Sequence, residues 1–404
     1  MTLLKRHCGL SGQTLDEGAA MAGYVFTVSK AGWDDFCEED LKYGCFTPLV
    51  PGIDPDATDR QIRSGIKVWS AIFGDMVTMS PGDNVYFLSD RKIYGVGRLV
   101  CVGSDCKYDN YPGASRLSLD PEIDPDSFLT TRSPQARWVA LFEPAPYFFR
   151  NGADMDDILR YRPNSFRMLR AFQGVSFIKI DDEENRALKE YISLINEGRY
   201  DDIENNTFAF STDVHERLRQ SDLTGYVMDI SSALLFNEHK DYVISEMFIE
   251  ASLLQALSRN KESVLGHWDY LTQQLIASPF KPLAYIDKID IYGYKFSVDY
   301  PGEPKLITKY LVIEIKKDKI NKAAVEQAMQ YVDWVCREYA SGDYSKISAF
   351  AVGAGAVNNI DAVIEEKCQR RFIARSHPAV SEQWNDFKVV QYVITDSGVV
   401  FGTD

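Results

Sequence analysis

Alternating apolar and polar positions dominate the first half of the chain. GYVFTVS (23–29), DNVYFLSD (83–90), KIYGVGRLV (92–100), RWVALFEPA (137–145) and VSFIKID (175–181) alternate or are rich in β-formers, and each predicts a strand. The second and third of these predict a hairpin that turns at Ser89–Asp90–Arg91. Spacing then becomes helical in EENRALKEYISLIN (183–196), which stops at Glu197–Gly198. The stretch 199–215 is polar, acidic and aperiodic, which predicts a linker, and a helical bridge is expected over 213–237. From about 241 the pattern reads helix, strand, strand, helix, strand, helix, strand. The expected organisation is a domain over 1–198, a linker over 199–240 and a second domain over 241–404.

The second half carries the candidate chemistry. KYLVIEIK (309–316) is a strand by its Val/Ile content. Side chains two apart on a strand share a face, so Glu314 and Lys316 point one way while Ile313 and Ile315 enter the core. Asp290, between Ile289 and Ile291, sits on the preceding strand. Gln327 and Tyr331 lie four apart on one face of the following helix. Two carboxylates from neighbouring strands are hard oxygen ligands suited to Mg²⁺ or Mn²⁺. Such an ion stabilises charge on a phosphate and acidifies a bound water. Lys316 would orient or deprotonate that water, or hold the developing charge on the phosphate. Glu-x-Lys alone is a weak signal, since the chain repeats it at Glu303–Lys305 and Glu365–Lys367. The strand before it, the aspartate upstream and the Gln-x-x-x-Tyr helix downstream set 314–316 apart.

At these residues the chain resembles the PD-(D/E)XK nuclease superfamily, in its NucS-like and restriction-endonuclease-like branch. The matching residues are Ile289–Asp290–Ile291, Ile313–Glu314–Ile315–Lys316, and Gln327, Tyr331 and Trp334. The resemblance covers roughly 241–400 and implies a mixed-sheet α/β domain with a divalent metal at Asp290 and Glu314. In that family an earlier helix often adds a glutamate. Helix SEMFIEASLLQAL offers Glu246 and Glu250, of which Glu250 is the first choice. Asp287, three residues before Asp290 and so on the opposite strand face, is the rival aspartate. ISAFAVGAG (347–355) and VVQYVIT (389–395) would complete the sheet.

PGDNVYFLSDRKIYGVGRLV, with the segment 175–196, resembles PUA-like barrels of the EVE and YTH kind. That resemblance spans about 22–195. It implies a β-barrel with an aromatic-walled pocket for a nucleobase, often a modified one, flipped out of DNA. Trp33, Trp69 and Tyr94 are candidates to stack on a base, and Ser70 and Asp75 to bond its edge. Each of these aromatics has core filling as its plainer role. Arg160, Arg162, Arg167 and Arg170 are candidate phosphate contacts, with a solvated helix face as the alternative.

Composition adjusts this picture. The chain has 404 residues, 45% hydrophobic and 25% charged, an ordinary globular balance. A net charge of −15 counts against indiscriminate nucleic-acid binding, though not against a local groove. Seven scattered cysteines predict reduced thiols, and Cys101 and Cys106 lack the second ligand pair that zinc needs. No run reaches membrane-spanning length, and MTLLKRHCGLSGQTLDEGAA lacks a secretory apolar region, so a cytoplasmic protein without membrane partners is expected. The expected activity is a modification-sensing, Mg²⁺-dependent DNA endonuclease of a restriction or phage-defence system, dimeric where it cuts both strands. The rivals are a mismatch-repair endonuclease, a nucleotide-gated defence nuclease and a non-catalytic reader.

Overall fold

The computed structural model describes residues 22–50, 58–117, 135–171, 177–235, 243–259, 263–277, 287–297 and 306–402. The described chain is mixed α/β and divides into two compact units. One comprises Met1–Gly52, Met79–Ser115 and Pro121–Met228; the other comprises Ile53–Thr78, Arg116–Asp120 and Asp229–Asp404. Among the described residues, no helix is long and apolar enough to cross a membrane.

The first unit is built on a sheet of β1 (Gly23–Thr27), β2 (Cys45–Phe46), β3 (Asn84–Ser89), β4 (Lys92–Leu99), β5 (Lys107–Asp109), β6 (Trp138–Pro144), β7 (Ala153–Asp154) and β8 (Phe177–Ile180). Its order is β2-β6-β4-β3-β1-β8, with β5 on β6 and β7 on β4. The predicted hairpin forms: Ser89 pairs with Lys92, and Asp90 and Arg91 adopt φ of 47° and 64°. Two left-handed residues match the right-handed twist of the flanking strands. One face of the sheet packs Val25, Tyr86, Ile93 and Ile178 against Ala187, Leu188 and Ile192 of the helix Asp182–Ile195. Asp181 caps that helix by accepting from the Glu184 amide at 2.9 Å. Phe26, Phe46, Phe87, Phe142 and Phe148 fill the interior as a chain of ring contacts.

Several expectations change here. Residues 199–215 are not a free linker: Phe208 donates its amide to Phe148 O at 2.8 Å, and Arg150 donates to Asn206 O at 2.8 Å. The segment therefore belongs to the first unit, which continues to Met228. The four arginines are committed locally. Arg160 pairs with Asp157, Arg162 with Glu190, and Arg167 with Asp181 and Glu183, while Arg170 donates to the carbonyls of Leu159, Pro163 and Phe166. Cys101 is disulfide-bonded, a departure from the expected reduced thiols, whereas Cys37, Cys45, Cys106, Cys336 and Cys368 are free thiols.

The second unit has a six-stranded sheet ordered β16-β15-β12-β11-β10-β9. Its strands are β9 (Tyr270–Ile276), β10 (Lys288–Phe296), β11 (Ile307–Ile315), β12 (Ile347–Gly353), β15 (Phe387–Thr395) and β16 (Gly398–Gly402). β11, β12 and β15 run parallel and the flanking pairs antiparallel. A separate ribbon pairs β13 (Arg370–Ser376) with β14 (Ala379–Trp384). The helices Glu246–Arg259 and Lys322–Glu338 carry the expected periodic faces, and Asn321 caps the second by accepting from Ala324 N at 3.1 Å.

The largest departure is the helix Asp59–Val77, which the strand-rich reading of 21–195 passed over. It belongs to the second unit and packs on helix 246–259. Gly74 permits the approach: a Cβ there would stand 2.7 Å from Gln273 Oε1 and 3.2 Å from Leu254 Cδ1. Gln273 Nε2 also donates to Ala71 O at 2.5 Å. Trp69 and Ser70, expected in a base pocket of the first unit, are 1% and 0% exposed on this helix. They are core groups of the second unit. Trp69→Ala should cost about 3–5 kcal/mol in urea unfolding, as large buried aromatics do. A loss below about 1 kcal/mol would mean that Trp69 is not a packing residue.

Candidate functional site

The register of β10 between its neighbours assembles the acidic site. Ile291 pairs with Ile313 of β11, so one step further along the same register Asp290 faces Glu314. On the other side Ile289 pairs with Leu275 and Ile291 with Gln273, so Gln274 of β9 faces Asp290. Gln274, Asp290 and Glu314 thus form one row across three strands. Helix 246–259 brings Glu250, 2% exposed, to the same place, where Gln274 Nε2 donates to its two oxygens at 3.3 and 3.1 Å. Glu246, one turn earlier, accepts from the Lys317 amide at 3.3 Å. Both glutamates weighed from the sequence are therefore at the site. Asp75, expected to bond a base edge, is on helix 59–77 of the second unit and adds its charge to the surroundings of Glu250.

The electrostatics are those of crowded acids. Burial, then the charge of Asp290, raises Glu250 well above the usual carboxylate range. Glu314, 0% exposed, is pushed up to about 8 by burial and Asp290. Burial lifts Asp290 to about 6 against the pull of the Ile315 amide, which donates to its Oδ2 at 2.7 Å, and of Lys316. Lys316 Nζ lies 2.5 Å from Glu314 Oε1. The Lys316 ammonium thus serves Glu314 Oε1, while Glu314 Oε2 is buried with no donor among the described residues. Burial alone would lower Lys316; the contact with Glu314, aided by Glu246 and Asp290, holds it above its ordinary value. Lys316 is thus a proton-bearing cation here, suited to stabilising charge rather than to acting as a base.

Gln327 and Tyr331 meet as their spacing predicts, with Gln327 Nε2 donating to Tyr331 Oη at 3.0 Å. Burial, with Glu314, Asp290 and Asp287 adding, pushes the Tyr331 phenol up to about 12, so it stays a neutral donor. Asp287 lies at the start of β10, just before Lys288, where its carbonyl accepts from the Ala277 amide at 2.9 Å in the continued β9–β10 register, and its charge reaches Tyr331. Among the described residues no three acidic, His or Cys side chains converge closely enough to hold an ion as they stand. The donor set nonetheless suits a hard cation: Asp290, Glu314 and Glu250 offer only oxygen, and Glu314 Oε2 is buried without a donor among the described residues.

Sequence reasoning missed Gln274. Its φ of 55° is left-handed, a conformation that costs a non-glycine residue about 1–2 kcal/mol. The sole trace in the sequence is a Gln-Gln pair in the otherwise β-rich YLTQQLI.

The first unit has a second candidate site. A cavity of about 390 Å³ is walled by Trp33, Tyr94 and Phe208, with Asp34, Glu38 and Arg150 at its edge. Trp33 and Tyr94 were expected here; Phe208, from the supposed linker, was not. Trp33 and Tyr94 lie 4.4 Å apart at 30°, and Phe208 meets both edge-on at 5.9 and 6.3 Å. Gly152 makes room for Tyr94, since a Cβ would stand 2.7 Å from its ring. The Arg150 guanidinium lies 4.8 Å over the Phe208 ring and donates to Thr207 O at 3.0 Å.

A pH prediction follows from the acids of the second unit. Carboxyls raised in the fold stabilise it fully below their unfolded values near 4, and this contribution is lost as pH rises through about 6 for Asp290 and about 8 for Glu314. In EDTA the chain should melt higher at pH 5 than at pH 8.5. Glu314→Gln should flatten that dependence and stabilise the chain at pH 8.5 by roughly 2 kcal/mol. Thermal melts across pH check this, and a Glu314→Gln variant with the wild-type slope contradicts it.

No family model and no curated protein matches this chain. A solved structure described as a hypothetical protein from Leishmania major aligns with 44% of this chain and 96% of its own, at 14% identity and a TM-score of 0.27, a likeness too slight to carry an argument.

Proposed function

We propose that the chain is a divalent-metal-dependent DNA endonuclease. In this reading the second unit is a PD-(D/E)XK-type domain that hydrolyses phosphodiesters, and the first is an EVE/PUA-like reader of a base in DNA. The observation that carries it is the buried row of Asp290 and Glu314, joined by Glu250 and Lys316, in which Glu314 Oε2 has no donor among the described residues. Oxygens of carboxylates buried for structural reasons are normally satisfied by donors. A site that crowds several buried acids around one lysine bears a cost that a bound cation offsets.

Asp290, Glu314 and Glu250 would hold Mg²⁺ or Mn²⁺, which supplies Lewis acidity at the phosphate and lowers the pKa of a water. The remaining work falls to the chain. Lys316, protonated, neutralises negative charge that grows on the phosphate oxygens. Tyr331, kept neutral and held by Gln327, offers a hydroxyl on the same side as Glu314. The Ile315 amide fixes one Asp290 oxygen, leaving the other to point into the site.

For the first unit, the aromatic wall supports base stacking and the acids Asp34 and Glu38 support recognition of an amino edge such as that of cytosine. A cytoplasmic restriction or defence role, and a dimer for double-strand cutting, complete the proposal.

Two measurements test it. Glu314→Ala and Asp290→Asn should each reduce Mg²⁺-dependent cleavage at least about 100-fold while the protein stays folded, whereas Asp287→Asn should keep most activity. Near wild-type cutting by Glu314→Ala would remove the site assignment. Fluorescence anisotropy with oligonucleotides carrying cytosine, 5-methylcytosine, 5-hydroxymethylcytosine and glucosylated cytosine tests the reader. Trp33→Ala and Phe208→Ala should narrow the differences among them, by about 1–3 kcal/mol for each lost stacking surface. Equal wild-type binding and cutting of all four would end the reader proposal.

A further inference from the structure

We propose that Gln274 is a positioning residue of the metal site: an uncharged bridge that holds Glu250 and Asp290 in place for a cation. The proposal rests on the metal-dependent reading above and assigns a role to a residue outside the resembling motifs.

Three geometric observations support it. First, the described non-glycine residues with positive φ are Asp90, Arg91, Gln274 and Ser341. Asp90 and Arg91 make the hairpin turn and Ser341 precedes Gly342 in a turn, where left-handed residues are usual. Gln274 adopts φ of 55° inside a strand. Glycine would take that conformation without strain, so a long side chain there calls for a role. Second, Gln274 stands opposite Asp290 in the β9–β10 register, and the ladder pairs the residues on either side but not these two. The backbone turns away from regular pairing at the position of the candidate ligand. Third, the result of that turn is visible in the contacts. The amide nitrogen donates to both oxygens of Glu250, at 3.3 and 3.1 Å, and the same side chain favours the charged form of Asp290 opposite it.

An amide suits this task better than the alternatives. It donates two hydrogens without adding charge, so it links two carboxylates yet leaves their negative charge for an incoming ion. A lysine at the same place would neutralise them and compete with the cation. A leucine would take this donor from the buried Glu250. Outer hydrogen bonds of this kind orient metal ligands, and their loss typically lowers metal affinity by about 10-fold or more.

The test uses the full-length chain and Mn²⁺, followed by calorimetry and by the ion's electron paramagnetic resonance spectrum, so that it does not depend on cleavage. Gln274→Gly removes the amide and relieves the left-handed strain. It should weaken Mn²⁺ binding about 10-fold and broaden the spectrum of the bound ion. Gln274→Asn tolerates left-handed φ but falls one methylene short. It should show the same loss, and it serves if the glycine variant does not fold. Adding Gln274→Gly to Glu250→Ala should cost less than Gln274→Gly costs in the wild type, because part of the effect of Gln274 runs through Glu250. If the wild type binds Mn²⁺ and Glu314→Ala does not, while both Gln274 variants bind as the wild type does, the positioning role is overturned and the metal site stands. If the wild type itself binds no Mn²⁺, the metal-dependent reading falls and this role falls with it.

Discussion

The register of β10 between β9 and β11 is the constraint on which the acidic site depends. Because strand side chains alternate, a slip of one residue would send Asp290 into the core and Ile289 or Ile291 into the site. The apolar residues hold the register. Ile289 and Ile291 are both 0% exposed, so a slip of β10 would take two buried apolar side chains out of the core. The acids can therefore be crowded without the sheet rearranging to relieve them. Hydrophobic burial on one face maintains electrostatic repulsion on the other.

That repulsion is managed without being removed. Lys316 supplies one positive charge at Glu314, the Ile315 amide serves one Asp290 oxygen, and Gln274 serves Glu250. None of these reaches Glu314 Oε2. Glu184, also buried and also left with one oxygen without a donor, differs in its partners: its Oε1 accepts from the amides of Arg167 and Leu169 at 2.7 and 3.2 Å and so fixes a loop on its helix. The contrast is between an acid held by backbone amides and acids crowded against one another. Strain retained in a well-packed sheet is what a binding site for charge requires.

The parts of this arrangement that are local in sequence were legible before the structure. Strand alternation put Glu314 and Lys316 on one face, and helical spacing put Gln327 beside Tyr331. The 83–100 hairpin turns where its sequence predicts. What was not legible depends on pairing between distant segments. Gln274 faces Asp290 only because β9 pairs with β10, and nothing in YLTQQLI announces a left-handed residue. The helix 59–77 reads as amphipathic once seen, with Ile62, Ile66, Trp69 and Phe73 on one face. Yet its sequence cannot say which apolar surface will cover that face. Trp69 was mistaken for a pocket wall for this reason, since a tryptophan suits a core and a stacking platform equally well. Phe208 was overlooked for the converse reason: an aromatic in a polar, acidic stretch carries no period.

The aromatic pocket of the first unit limits how any base could be held there. A base sandwiched between two rings needs them about 7 Å apart, twice the stacking distance. Trp33 and Tyr94 are 4.4 Å apart and already stack on each other. A base would then lie against one outer face of this pair, with Phe208 edge-on at its side. Stacking on a single face is available to every base and gives affinity without selection. Selection must come from the edge, where Asp34 and Glu38 accept hydrogen bonds and Arg150, fixed over Phe208, donates them. In a chain of net charge −15, such a pocket also has little general phosphate attraction to draw on. Under the function proposed above, recognition by this unit would be governed by the base edge more than by the backbone, and its salt dependence should be correspondingly shallow.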